Sequence, residues 1–172
     1  MDVKMKKIAE FKKVSFENYK QEILKNFNFS EEEINNFYNN IMLPARSTKG
    51  SAGYDFKVPF KITLKPGQTI KIPTGIRVKM EAGWVLLLFP RSSLGFKYRM
   101  QLDNTVGVID SDYFYSDNEG HIIVKITNDT VENKVLEIEE NKGVCQGIFF
   151  EFGITVDDSA EKIRNGGFGS TN

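Results

Sequence analysis

From residue 43 onward, apolar and polar positions alternate with a period of two, the pattern of half-buried β-strands. The alternation is clearest over 62–80, where isoleucine, leucine, valine and methionine are separated by lysine, threonine, glutamine and arginine. Turn sequences such as Pro66-Gly67 and Pro73-Thr74-Gly75 punctuate it. Short, regularly spaced strands without alternating helices predict an all-β sandwich or closed barrel. The further strands are predicted at 84–89, 121–127, 135–138 and 144–152.

The first part of the chain has a different pattern. Apolar residues recur at helical spacing within 16–27 and again within 34–38. Ser30 followed by Glu33 is a capping box that marks the start of the second helix. We therefore predict a helical N-terminal extension over 1–42, packed on the body of the protein.

Beyond the last predicted strand the chain becomes polar and rich in glycine. Such a segment has too little apolar surface to hold itself against the body. We predict a β domain over 43–156 and a flexible C-terminal arm over 157–172.

Composition narrows the classes of function. The 172 residues are 40% apolar, enough for the core of one domain, so general disorder is excluded. Lys plus Arg and Asp plus Glu both number 23, so no overall positive field would gather a nucleic-acid polymer or an anionic membrane. Cys145 is the single cysteine, which fits a reducing compartment. No apolar run approaches the ~20 residues of a membrane span, and the N-terminus is too charged for a signal peptide, so we expect a soluble, cytoplasmic protein.

Two short stretches suggest an anion or cation site. In 51–55, Gly53 permits close backbone approach and Asp55 could hold a hydrated divalent cation, although a plain turn would also account for the sequence. Directly after the most apolar strand come Arg91, Ser92 and Ser93. A guanidinium fork with two hydroxyls suits a phosphate, and an ordinary surface turn is the alternative.

The stretch 104–113 carries two carboxylates, Asp110 and Asp112, at positions i and i+2. If the chain is extended there, both lie on one face, and one could act as a general base. Asn104 could read the edge of a base, and Tyr113 offers a ring to pack against a sugar. The alternative is a hairpin whose aspartates form Asx turns.

Two further features are candidates. Gln146 lies in an apolar strand, where an unpaired amide would cost desolvation energy, while its neighbour Cys145 is expected to pack as a small apolar residue. In the tail, a lone aromatic ring stands among glycines, with a cation and two hydroxyls nearby. Such a loop could wrap phosphates and cap a base, or could simply be a flexible terminus. The tail residues are Arg164, Gly166, Gly167, Phe168, Gly169, Ser170 and Thr171.

His121 is the single histidine, and we expect it at the surface, at the start of a strand. The chain has no His/Cys cluster for a zinc site, and one histidine gives no convincing Ser-His-Asp triad.

Taken in order, the five stretches resemble the five motifs of the homotrimeric deoxyuridine triphosphatases (dUTPases), over about 43–172. The resemblance implies a jelly-roll-like β barrel and a homotrimer whose active sites are shared between subunits. It also implies Mg²⁺-dependent hydrolysis of dUTP to dUMP and pyrophosphate. That reaction limits uracil incorporation into DNA and supplies dUMP for thymidylate synthesis.

The resemblance also implies a role for each matching residue. Asp110 would be the general base, and Asp55 would support the Mg²⁺ ion through water. Tyr113 would pack under the deoxyribose, and Phe168 would stack on the uracil. The other residues implied to bind substrate are Arg91, Ser92, Ser93 and Gln146 at the triphosphate, Asn104, Gly107, Val108 and Ile109 at the uracil, and Arg164, Gly169, Ser170 and Thr171 in the arm.

Some positions depart from the family pattern. Asn141-Lys142-Gly143 stands where Gly-Asp-Arg is usual, and residues 114–119 are an insertion after Tyr113. A dCTP deaminase of the same fold is one alternative function, but Phe96 and Lys125 occupy positions where that family carries Arg and Glu. A nucleotide-binding regulatory trimer is the other.

Overall fold

The alternating segments form β-strands in the computed structural model, which describes residues 5–161. The strands are β1 Ala9–Lys13, β2 Ala45–Arg46, β3 Tyr54–Lys57, β4 Ile62–Leu64, β5 Thr69–Met80, β6 Trp84–Pro90, β7 Met100–Leu102, β8 Gly107–Ile109, β9 Ile122–Asn128, β10 Leu136–Ile138 and β11 Gly143–Glu151. The helices are α1 Phe16–Leu24, α2 Glu31–Asn40 and α3 Ser92–Tyr98, with a 3₁₀ helix at Ser111–Tyr115.

The strands make two larger antiparallel sheets and a two-stranded ribbon. One sheet has the order β1-β5-β9-β7 and the other β2-β3-β11-β6-β8, while β10 pairs with β4. Their inward-facing side chains form one buried core, which includes Phe56, Ile72, Leu86, Ile126 and Val144. The predicted all-β class is confirmed.

The N-terminal extension contains both predicted helices. Ser30 and Glu33 form the reciprocal capping box at the start of α2. Tyr19, Ile23 and Ile34 are fully buried, so both helices contribute side chains to the core.

The extension also supplies a strand that its sequence did not predict. β1 pairs antiparallel with β5, from Ala9 opposite Met80 to Lys13 opposite Ile76. As an edge strand it carries Lys and Glu on its solvent side, which obscures the alternation. Phe11 turns inward, and its ring centroid lies 5.3 Å from that of Tyr54.

The sequence Pro73-Thr74-Gly75 does not form the expected turn but lies within β5. The register with β9 shifts between Pro73 and Ile76, so the segment is a β-bulge. Gly75 has a φ of +71°, and the Thr74 hydroxyl donates to the Ile122 carbonyl at 2.6 Å. The bulge keeps the strand continuous although proline lacks a backbone N–H.

His121 is buried, not exposed, so its expected surface position is wrong. Its Nε2 accepts a hydrogen bond from the Gly75 N–H at 2.8 Å, and its Nδ1 lies 2.9 Å from Asn18 Oδ1. These partners satisfy the ring inside the core, and burial lowers its pKa to about 4.

Acidification from pH 6.5 toward pH 4.5 is expected to destabilise the fold through His121. The unfolded chain binds a proton near pH 6.5 and the folded chain only near pH 4, so stability falls as pH decreases through this window. The loss contributed by this group approaches about 3 kcal/mol once the pH reaches the folded-state value. Urea unfolding at a series of pH values measures it. The His121→Gln variant serves as control and should show a shallower slope between pH 6.5 and 4.5; an equal slope would contradict the assignment.

Within residues 5–161, no helix is long and apolar enough to cross a membrane.

Candidate active site

Three neighbouring strands bring distant polar residues to one end of the five-stranded sheet. Asp55 of β3 is directly opposite Gln146 of β11, which is directly opposite Phe89 of β6. Directly paired residues of antiparallel strands point to the same face, so Asp55 and Gln146 share a face. Arg91 follows β6 at this end as the N-cap residue of α3.

These residues line an open cleft of about 350 Å³. Within it, Arg91 Nε lies 3.3 Å from Asp55 Oδ1, and the Ser47 hydroxyl donates to Asp55 Oδ2 at 3.0 Å. The pair is partly exposed, so it contributes little to stability, but it fixes the direction of the guanidinium. The lining residues are Ser47, Ser51, Gly53, Asp55, Arg91, Ser92, Ser93 and Gln146.

Gln146 is paired, as its place in an apolar strand requires. Its Nε2 donates to the Pro90 carbonyl at 3.3 Å. A Cβ at Gly53 would lie 2.5 Å from Gln146 Oε1, so a larger residue there would make the Gln146 amide shift. Ser47 is a cleft residue that the sequence analysis missed, although the pairing of β2 with β3 brings the segment after Arg46 to Asp55.

A second cavity, of about 330 Å³ and mostly apolar, lies beside β8. A Cβ on Gly107 would lie 3.1 Å from the Leu88 side chain, so a larger residue there would require Leu88 to shift slightly. Val108 is 54% exposed because strand alternation turns it to the opposite face. The cavity is lined by Lys71, Leu88, Leu102, Asp103, Asn104, Gly107, Ile109, Ile123, Val124 and Lys125.

The segment after β8 is not extended. A 3₁₀ helix begins after Asp110, so Asp110 and Asp112 do not share the face that an extended chain would give them. Asp110 is half-buried and Asp112 is exposed. Tyr113 is 3% exposed, and its hydroxyl donates to the His121 carbonyl at 2.9 Å. Its ring therefore lies in the core and is not part of the cavity wall.

The two cavities lie on opposite faces of the sheet at β6, since Leu88 lines the second cavity and the cleft residue Gln146 pairs with Phe89. Ile109 pairs with Leu86, and Arg91 comes five residues later along that strand. β8 runs antiparallel to β6, so Asp110, which follows Ile109, lies further from Arg91 than Ile109 does. At ~3.3 Å per residue, about 20 Å of sheet separates Asp110 from Arg91. One chain therefore does not bring its own Asp110 to its own cleft.

The remaining candidate residues are either buried in the core or lie outside the described part of the chain. Cys145 is fully buried, and burial raises the pKa of its thiol to about 12, which agrees with the expected apolar packing. Within residues 5–161, no three His, Cys, Asp or Glu side chains are grouped to hold a metal ion by themselves. The arm residues Arg164 and 166–171 lie outside the described part of the chain.

The all-β fold carries a cleft lined by an arginine and hydroxyl groups and, separately, an apolar cavity. This combination suits a phosphorylated ligand that also has an apolar part. A family model described as dUTPase matches residues 39–172. The chain belongs to the dUTPase family.

Similar proteins support this membership. The chain is 45% identical over 134 residues to a deoxyuridine 5'-triphosphate nucleotidohydrolase of Lactococcus lactis, covering 76% of this chain and 88% of that protein. A protein of the same name from Paraburkholderia phytofirmans is 38% identical, with 75% and 88% covered. The crystal structure of dUTPase from Streptococcus mutans superposes with a TM-score of 0.62 at 33% identity, covering 84% of this chain and 97% of that one.

Proposed function

We propose that this chain hydrolyses dUTP to dUMP and pyrophosphate. Membership of the dUTPase family supports the reaction, and the cleft around Arg91 supports the location of the phosphates. Water attacks the α-phosphorus, the bond to the bridging oxygen of the β-phosphate breaks, and pyrophosphate leaves. Such a transfer depends on positioning and charge stabilisation more than on covalent chemistry.

The triphosphate is held in the cleft by Arg91, Ser92 and Ser93, with Gln146 beside them. A guanidinium offers a planar fork of donors that fits phosphate oxygens, and hydroxyls complete the set. The contact with Asp55 aims the fork into the cleft before substrate arrives. Binding therefore requires little reorganisation of this side chain.

A Mg²⁺ ion fits this donor set as a partner of the substrate. Asp55 is the single carboxylate that lines the cleft within the described part of the chain, and Ser47 and Arg91 contact its oxygens. Mg²⁺ keeps several waters and binds through one or two carboxylates plus phosphate oxygens, so Asp55 would hold the hydrated ion through water. When bound, the ion neutralises charge on the phosphate oxygens.

The apolar cavity beside β8 receives the uracil. Asn104 presents an amide to the base edge, and the backbone of 107–109 limits the width of the cavity. Asp110 accepts the proton of the attacking water. The deoxyribose lies on the side of Tyr113, whose buried ring supports it indirectly through the residues that cover the ring. In the arm, Phe168 covers the base, and Arg164, Gly169, Ser170 and Thr171 meet the outer phosphates.

We further propose a homotrimer with shared active sites. The main support is the distance between Asp110 and Arg91 within one chain. In a trimer, a neighbouring subunit can place its own Arg91 beside Asp110. The outer face of β6, β8 and β11 gives the subunits an apolar contact surface, since its paired side chains point away from the core. The apolar residues of this outer face are Val85, Leu87, Phe89, Val108, Ile148 and Phe150.

Deamination of dCTP is disfavoured by the residues at the two positions where dCTP deaminases carry Arg and Glu. Phe96 is 93% exposed, and Lys125 Nζ pairs with Asp103 Oδ2 at 2.8 Å. Neither offers the chemistry of the Arg and Glu that deamination needs there. A regulatory role without catalysis would leave the Asp110 carboxylate unused.

Product analysis tests the reaction. The protein is incubated with Mg²⁺ and, separately, dUTP, dCTP, dTTP or UTP, and pyrophosphate and ammonia are measured independently. We expect pyrophosphate from dUTP, about 100-fold faster than from UTP, because rejection of a substrate that adds one hydroxyl reaches about that factor. Ammonia from dCTP would replace the proposal with deamination, and binding without any product would favour the regulatory trimer.

A further inference from the structure

The N-terminal extension is joined by hydrogen bonds to the segment that follows Asp110. The Glu119 carboxylate accepts the Ser15 N–H at 2.8 Å and the Ser15 hydroxyl at 2.6 Å. Asn18 Oδ1 lies 2.9 Å from His121 Nδ1. We call these two contacts, Ser15 with Glu119 and Asn18 with His121, the N-terminal latch. Ser15 and Asn18 precede residue 39, where the family match begins.

The 3₁₀ helix and the turn after it form one connected unit. The Tyr113 hydroxyl donates to the His121 carbonyl at 2.9 Å and accepts from the Asn118 amide at 2.8 Å. A Cβ on Gly120 would lie 2.7 Å from Phe114 Cα, so the turn packs directly against the helix backbone. A shift of the turn therefore shifts the 3₁₀ helix with it.

Arg77 holds the same unit from β5. Its Nη2 donates to the Phe114 carbonyl at 2.6 Å, and its guanidinium carbon lies 3.7 Å from the centroid of the Phe114 ring. Its Nη1 also lies 3.8 Å from Glu119 Oε2. The insertion 114–119 is thus fixed to the body on one side and to the extension on the other.

Glu119 adopts a conformation that its residue type disfavours. Its φ is +60°, in the left-handed region normally taken by Gly or Asn. Such strain persists where surrounding contacts impose it. Although burial raises the pKa of Glu119, hydrogen bonds from Ser15 and the charge of Arg77 lower it overall, so the carboxylate is ionised at neutral pH. These contacts account for a glutamate at this position.

We propose that the N-terminal latch positions the Asp110 carboxylate for catalysis. Asp110 is the N-cap residue of the 3₁₀ helix Ser111–Tyr115, and its carbonyl accepts the Tyr113 N–H at 3.2 Å, so its backbone position follows that of the helix. Ser15 and Asn18 are positioning residues that act through Glu119 and His121. The inference rests on the proposed role of Asp110 as general base.

Ser15→Asp is the sharpest test because aspartate keeps the N-cap of α1 but repels Glu119. We expect kcat for dUTP to fall about ten-fold with KM changed less than two-fold, because the water-activating group moves while the phosphate cleft is untouched. Hydrogen exchange of amides in 111–121 is expected to accelerate selectively.

Removing the negative charge of Glu119 in the Ser15→Asp background distinguishes a positioning effect from general destabilisation of the fold. Glu119→Gln alone keeps one acceptor oxygen for Ser15 but loses the charge that faces Arg77, so its kcat is the reference for the double variant. Combined with Ser15→Asp, it replaces the repulsion with an amide donor and should restore kcat to within about three-fold of that reference. Asn18→Ala breaks the second contact without touching Glu119 and should also lower kcat at constant KM. Gln21→Ala is the matched control, since it removes only the exposed contact with Glu17.

The outcomes separate this proposal from the proposed function. If wild type releases no pyrophosphate from dUTP, the function itself is wrong. If wild type is active, the latch proposal is overturned by wild-type kcat in Ser15→Asp, by failure of the double variant to recover, or by an equal loss in Gln21→Ala. Should Ser15→Asp not fold, unchanged kcat in Asn18→Ala overturns it in the same way, and a kcat loss there at constant KM supports it.

Discussion

Replacing Asp110 by asparagine is expected to lower kcat for dUTP about a thousand-fold, within the range for removal of a general base. Asparagine has nearly the same shape but cannot accept the proton of the attacking water. The change corresponds to about 4 kcal/mol of transition-state stabilisation. Binding of dUTP should change little, because Arg91 and its neighbouring hydroxyls stay intact.

Single-turnover hydrolysis and calorimetric titration of dUTP measure the two effects separately. Asp112→Asn is the matched control, because it neutralises an exposed carboxylate two residues away in the same 3₁₀ helix. Asp110→Asn with kcat within ten-fold of wild type, or an equal loss in Asp112→Asn, would show that the base has been misassigned.

Arg91→Ala is expected to lower kcat/KM for dUTP by a factor of a hundred or more, about 3 kcal/mol or above. The substitution removes the planar donor fork from the cleft. It also leaves Asp55 without its 3.3 Å partner, so an uncompensated carboxylate faces the phosphates. Arg91→Lys retains the charge without the fork and should fall between alanine and wild type.

Arg99→Ala provides the control for Arg91→Ala. Arg99 ends the same helix, and its exposed ion pair with Asp129 is far from the cleft along α3. Initial rates over a range of dUTP concentrations give kcat/KM for both proteins. If Arg99→Ala lost as much activity as Arg91→Ala, the loss would reflect disturbance of α3 and not a missing phosphate contact.

The strands and the polar residues of the cleft could be predicted from sequence because both depend on local patterns. Alternation marked the strands, and the residue types of Asp55, Arg91 and Gln146 indicated polar chemistry at strand ends. The register of β3, β11 and β6 then brings the three side chains to one cleft. At Asn141, where the sequence departs from the family pattern, the backbone is left-handed, with a φ of +62°.

Features set by tertiary contacts escaped the sequence analysis. β1 has only Phe11 packed clearly inward, so its alternation was too weak to recognise. His121 gave no sign of burial, because its partners Asn18 and Gly75 are distant in the chain. Likewise, the prediction that Asp110 and Asp112 share a face assumed an extended segment. The turn around Gly120 instead holds a 3₁₀ helix there.

The separation of Asp110 from Arg91 makes subunit mixing the most direct test of a shared active site. Asp110→Asn and Arg91→Ala chains, each strongly impaired by itself, are co-expressed at equal levels. In a cyclic trimer, each mixed assembly contains one interface that joins an intact Asp110 to an intact Arg91, so about a quarter of all sites recover.

We therefore expect the mixture to release pyrophosphate from dUTP at roughly a quarter of the wild-type rate. Activity no greater than the sum of the two separate variants would contradict the account, since it would place Asp110 and Arg91 of the same chain in one site.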